Sequence, residues 1–183
     1  MQSGRPLCVI ATLFLLACTA SGQLAQIQER IPAEMMNAEL RPLDESTSVR
    51  LSAYGNKVVI LTLWASWVAP CRLSMPELNK LRSRYSNREV EVLGLSSHEN
   101  ERGPTNAQRF LAELGIGFPS VWVEESIYEK LDPEHVLPIT VVEVNGTIIQ
   151  RFRGWNSKVT PGLLRKAVKQ ALKGTKEKPA EKS

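Results

Sequence analysis

The stretch Lys57-Val58-Val59-Ile60-Leu61-Thr62-Leu63 constrains this 183-residue chain more than any other. An apolar run this short, rich in Val and Ile, reads as a strand buried on both faces. Such a strand must be covered on each side, which requires a layered α/β domain. The rest of the chain supplies the layers. Cys71–Tyr85 has helical spacing, with Met75, Leu78, Leu81 and Tyr85 near one face and Pro76 placed to kink it. Glu91–Leu95 is a second buried strand. Gly103-Pro104 opens another helix, with Phe110, Leu111 and Leu114 inward and Gly115 as its stop.

Further on, Phe118–Val123 reads as a short strand and Ile127–Leu131 as a helical turn. Ile139–Val144 and Thr147–Phe152 alternate around Asn145-Gly146, a strong hairpin signal. That turn also explains the Asn145-Gly146-Thr147 sequon. Thr160-Pro161 opens a last helix whose buried stripe is Leu163, Leu164, Ala167, Val168, Ala171 and Leu172. Upstream, Glu39–Leu43 and Ser48–Leu51 read as two short strands about Asp44-Glu45-Ser46. The order implies a central mixed sheet flanked by helices.

Directly after the first buried strand comes Trp64-Ala65-Ser66-Trp67-Val68-Ala69-Pro70-Cys71. This resembles the active-site segment of the thioredoxin superfamily, in particular the TlpA/ResA-like envelope branch, which reads Trp-Ala-x-Trp-Cys-x-Pro-Cys. Pro76 stands where that family kinks its helix. Val136-Leu137-Pro138-Ile139-Thr140 resembles its cis-proline loop, and Asn145-Gly146 and Gly154-Trp155 follow as in its closing hairpin. The resemblance covers about Ala38–Leu172. It implies a thioredoxin-like fold with the TlpA/ResA-type N-terminal strand extension.

A thiol at a helix N-terminus is stabilised as thiolate by unpaired N–H groups. A second thiol one turn inside resolves the mixed disulfide. Carried over by the resemblance, position 68 is the nucleophile and Cys71 the resolver. Position 68 is valine, so no dithiol can form there. Two positions where relatives carry helper acids are Thr62 and Ser74. Cys71 is then either an inert buried residue or a residual thiol able to be oxidised, capped or trapped. Cys71, Met75, His98 and His135 are a thin ligand set, so no metal and no cofactor is expected. A peroxidatic site would want Thr-x-x-Cys with a helper arginine. Val68 stands in place of that threonine, and Arg72 is merely adjacent.

The N-terminus reads as an export signal. Arg5 precedes the apolar run Pro6–Leu16, which is short for a membrane span. Leu15-Leu16-Ala17-Cys18 resembles the bacterial lipobox, in which the cysteine is lipidated; cleavage after Ala20 is the competing reading. Thr19 favours the outer membrane over the inner. Either cleavage leaves Cys71 as the single thiol of a periplasm-facing protein. The expected divisions are a signal over 1–17, a membrane-proximal spacer over 18–37, the domain over 38–173 and a disordered basic tail over 174–183.

Net charge is +4, and Arg165–Ser183 alone holds seven basic residues and two acidic ones. The basic character is thus a Lys-rich end, solvated or drawn to anionic lipid. No basic face with aromatic readout suggests nucleic acid. The expected partner is an envelope protein client or thiol partner. The expected client groove joins Trp67, Val68, Ala69, Pro70, Leu137 and Pro138, with no disulfide cycling. The alternative is a thiol-disulfide oxidoreductase or redoxin acting through Cys71 alone.

Overall fold

In the computed structural model the described residues are 29–177, apart from 45, 56, 86–88, 98, 100–102, 132–133 and 135. The expected signal, Cys18, His98 and His135 lie outside them. The constraining run is strand β3, Val58–Trp64, buried at every position. Strand β4 (Val90–Ser96) pairs with it in parallel and β6 (Ile139–Val144) pairs antiparallel on its other side. A strand enclosed in this way has no water-facing side, which accounts for its unbroken apolar sequence.

The two faces of the sheet divide β3 by parity. Val58, Ile60 and Trp64 face a core built with helix α2 (Ala69–Arg84), α3 (Gly103–Glu113) and α5 (Thr160–Glu177). Val59, Leu61 and Leu63 face the opposite core, with α1 (Ala33–Asn37) and α4 (Glu125–Leu131). Strand β7 (Thr147–Arg153) follows β6, and β5 (Ser120–Trp122) follows β4. At the edges lie β1 (Glu29–Arg30) beside β7 and β2 (Arg41–Pro42) beside β5, giving the order β1-β7-β6-β3-β4-β5-β2. Asn145 (φ 49°) and Gly146 (φ 75°) both take the left-handed region, as a tight right-twisted hairpin requires.

Four expectations need correction. The spacer reading of 18–37 fails over 29–37: β1 joins the sheet, and Ile31, ahead of α1, and Met35, within it, insert into the second core. A five-residue helix has no period long enough to register in the sequence. Ser48–Leu51 is not a strand; Val49 makes one bridge to Leu40, and Leu51–Tyr54 turns as a 3-10 helix. Glu39–Leu43 contracts to β2, where Pro42 sits on an edge strand that does not need its N–H. Helix α5 passes through Gly174 to Glu177, beyond the expected start of the tail. One glycine costs about 1 kcal/mol in a helix, which the packed stripe of Leu164, Ala167, Val168 and Ala171 upstream outweighs.

Candidate functional site

The site forms where β3 ends. The chain turns at Ser66-Trp67 and enters α2 with Val68 as its N-cap, in extended geometry (φ −87°, ψ 110°) and without a side-chain cap bond. Valine has no acceptor to offer the first N–H groups. Cys71 lies one turn inside, its N–H donating to the Val68 carbonyl at 2.9 Å. The thiol is fully buried among Trp64, Met75 and Leu78. Burial pushes it up to about 12, a hydrogen bond with the Ala65 backbone opposes this in part, and the Glu99 carboxylate raises it further. At neutral pH the group is therefore held as the thiol.

Trp67 is 62% exposed, while Val68 is half-buried and leans on the core. Ala69 is exposed and Pro70 half-buried. The β3–β6 register pairs Leu63 with Ile139, so Pro138 arrives beside the end of β3 where the motif begins. The Leu137–Pro138 bond is cis. Pro138 is buried, and its carbonyl accepts the Gly154 N–H at 2.8 Å. Leu137 is half-buried against both cores, and Val136 is 43% exposed. The motif loop and the proline loop thus meet at one end of the sheet.

The two positions lacking acids are neutral and bonded. Thr62 and Thr140 face each other across the strands with hydroxyls 3.5 Å apart. Ser74 turns its hydroxyl back to the Cys71 carbonyl at 3.0 Å. An acid nevertheless reaches the site from elsewhere. Glu99, in the loop after β4, accepts the Ser66 N–H at 2.6 Å and the Ser66 hydroxyl on its other oxygen. The Ser97 N–H also donates to the Trp64 carbonyl, tying that loop to the motif. Sequence reasoning missed Glu99, since it lies in a loop with no pattern of its own. The one available signal was the parallel β3–β4 pairing, which brings the end of β4 beside Trp64.

Arg72 is exposed and turned to α3, over the Phe110 ring at 5.0 Å and paired with Glu113 at 3.3 Å. Met75 is fully buried. Among the described residues no three His, Cys, Asp or Glu gather to hold a metal. None of the described helices is long and apolar enough to cross a membrane.

Known proteins are similar to this chain in sequence and fold. The chain is 31% identical over 112 residues to the thiol-disulfide oxidoreductase ResA of Geobacillus kaustophilus, covering 60% of this chain and 62% of that one. It spans less than two thirds of the length of the ResA relatives it matches. It is 27% identical over 185 residues to the thiol:disulfide interchange protein HelX of Rhodobacter capsulatus, covering 93% and 98% of the two chains. A Chlorobium tepidum structure described as a thiol:disulfide interchange protein DsbE superposes with a TM-score of 0.68 at 22% identity, covering 82% of this chain and 99% of that one. That likeness carries the fold, which is thioredoxin-like. The Redoxin family model matches residues 29–127, and with it the chain belongs to the Redoxin family, in the TlpA/ResA-like branch of the thioredoxin superfamily.

Proposed function

We propose that this redoxin is a periplasm-facing envelope protein, held at a membrane by a lipid on Cys18, that binds a polypeptide client without exchanging disulfides. The client surface is Trp67, Val68, Ala69 and Pro70 with Leu137 and Pro138. The observation that carries the reading is the pair at the start of α2: an apolar Val68 at the N-cap above a Cys71 with no exposed surface. A nucleophile must be reached by its disulfide, and a thiol pushed up to about 12 attacks slowly even when reached. An exposed indole beside apolar side chains suits contact with a chain segment. The relatives are named for thiol-disulfide exchange, so the proposed client is a cysteine-bearing protein.

Disulfide reduction by the purified full chain, driven by an external thiol, tests this against Cys71→Ser. Equal rates, at the level of the external thiol alone, are expected. Turnover lost in Cys71→Ser would overturn the binding reading in favour of a single-thiol enzyme. Binding is measured separately with a reduced, alkylated unfolded protein, which cannot react. Trp67→Ala is expected to weaken it about tenfold, as a central aromatic contact does. Unchanged binding would remove the groove.

A further inference from the structure

The turn between β6 and β7 carries chemistry that neither the groove nor Cys71 uses. Asn145-Gly146 is the one Asn-Gly pair in the chain. In such a pair the glycine nitrogen, once it sheds its proton, attacks the asparagine side-chain carbonyl, and glycine puts no side chain in the way. Asn145 is exposed to water, whereas Gly146 is buried. The reaction is therefore decided by what holds the Gly146 nitrogen.

Both backbone polar groups of Gly146 are engaged. Its N–H donates to Glu143 Oε2 at 2.7 Å, and its carbonyl accepts the Ile31 N–H at 2.8 Å. Met36 packs over it, with Sδ 3.4 Å from where a β-carbon would stand. Glu143 is itself buried, and its neighbours across the strands are Val59 and Ile148. Those two residues belong to the core that Ile31 and Met35 enter. The segment 29–37 thus closes over the turn, and the Gly146 N–H is directed at a buried carboxyl while the amide it would attack lies in solvent. A buried N–H does not give up its acceptor unless water replaces it.

We infer that Asn145 is a self-modification site whose reaction is gated by the docking of residues 29–37. With the segment in place, the Gly146 nitrogen stays bonded and the side-chain amide persists. When Ile31 leaves, water reaches the turn and the Gly146 N–H parts from Glu143. The nitrogen then gives its proton to water and bonds to Asn145 Cγ. The Cγ–Nδ2 bond breaks, ammonia leaves with that proton, and a cyclic imide closes. Water opens the imide at either carbonyl, giving aspartate or its β-linked isomer. Water is the only co-reactant, and nothing is oxidised or reduced. The β-linked product adds a methylene to the backbone of a two-residue turn. Val144 and Thr147 then no longer pair with Gly146 set under Ile31, because turn length fixes hairpin register. The product is a lasting record of the segment's release. This inference stands apart from the client groove and does not rest on it.

The test incubates the full chain in a non-ionic detergent at pH 8 and 37 °C and follows each asparagine by peptide mass and chromatography. A synthetic peptide of residues 143–148 sets the ungated rate. Asn145 in the chain should be lost more slowly than in the peptide by about tenfold or more, since the turn must open first. Ile31→Ala with Met35→Ala removes the two anchors of the segment and leaves Glu143 in place. Asn145 should be lost several-fold faster in that variant than in the unaltered chain. Glu143→Ala strips the acceptor and should act in the same direction, whereas Glu143→Gln keeps an acceptor and should not. Exposed Asn156, ahead of α5, is the reference for opening of the whole chain. Loss at the peptide rate in the unaltered chain would overturn the inference. So would a rate unmoved by removal of the anchors, or a rise there that Asn156 shares equally. A slower reaction in Glu143→Ala would overturn it too, by making that carboxylate the base instead of the guard. If Glu143→Ala does not fold, the anchor variant and the peptide decide.

Discussion

The backbone N–H of Ser66 donates to Glu99 Oε1 at 2.6 Å, and the Ser66 hydroxyl donates to the other oxygen of the same carboxylate. This clamp fixes the turn between β3 and α2 and sets a negative charge near Cys71. In a dithiol site such a charge would oppose the thiolate. Here it adds to burial in keeping Cys71 as a thiol.

Glu99→Gln should therefore lower the Cys71 pKa and speed its alkylation. Burial is the larger cause of the shift and remains in the variant. The acceleration should be modest, on the order of two- to tenfold by iodoacetamide at pH 9. The pH–rate profile of the unaltered chain should still be rising at pH 10. A plateau near pH 8, or identical rates in the two proteins, would contradict the assigned electrostatics.

Val68→Cys puts a thiol at the N-cap of a sixteen-residue helix, next to N–H groups that have no side-chain cap. Helix N-termini depress thiol pKa values. The introduced thiol should titrate well before Cys71. Oxidation should join the introduced sulfur to Cys71 with loss of two hydrogens, read by mass and by protection from alkylation. A variant that stays dithiol under a tenfold excess of oxidised glutathione would mean that the scaffold no longer holds the redox geometry.

How far the sequence reached can be read from particular residues. Val58–Trp64 announced itself, because a strand buried on two faces writes an apolar run. Asn145-Gly146 did too, because few residue pairs accept two positive φ values. The motif loop and Leu137-Pro138 were legible through resemblance, and the β3–β6 register brings them together. Glu99 was not legible. Its partner Ser66 lies 33 residues away, and the contact exists only because β4 runs parallel to β3. Residues 29–37 were hidden for a different reason. Ile31 and Met35 lie in a short stretch with neither strand nor helix period, and their burial depends on a core assembled by the rest of the chain.

Glu143 provides a pH test of the fold. It is 1% exposed, and burial raises its carboxyl to about 7 from 4.5, against the lowering effect of the Gly146 N–H it accepts at 2.7 Å. A carboxyl raised in the folded state binds its proton more tightly there than in the unfolded chain. Its contribution is full below about pH 4.5 and is lost as pH rises through about 7. The loss is on the order of 3 kcal/mol. Urea unfolding at pH 5, 6, 7 and 8 should show stability falling over this window. Glu143→Gln should remove that fall and be the more stable protein at pH 8. Parallel curves for the two proteins would place the pH dependence elsewhere.

Gly94 tests the packing beneath the motif. It lies on β4 opposite Thr62 and Ser120. A Cβ there would collide with Ser120 Oγ and meet Trp64 Nε1 at 2.9 Å, well inside contact distance. Trp64 cannot yield easily, because it is fully buried and stacked on Phe110 with centroids 5.1 Å apart. Gly94→Ala should cost about 1–3 kcal/mol, the range for overpacked cores. Ser120 Oγ is buried without a partner, so Ser120→Ala alone should be close to neutral, since it removes an unpaired polar atom. In combination, Ser120→Ala should recover part of the Gly94→Ala loss by removing the nearer contact, while the indole contact keeps the remainder. Thermal unfolding of the four proteins gives the coupling directly. Strict additivity would mean that the strand shifts to admit the methyl group and that Trp64 is held less firmly than its stacking implies.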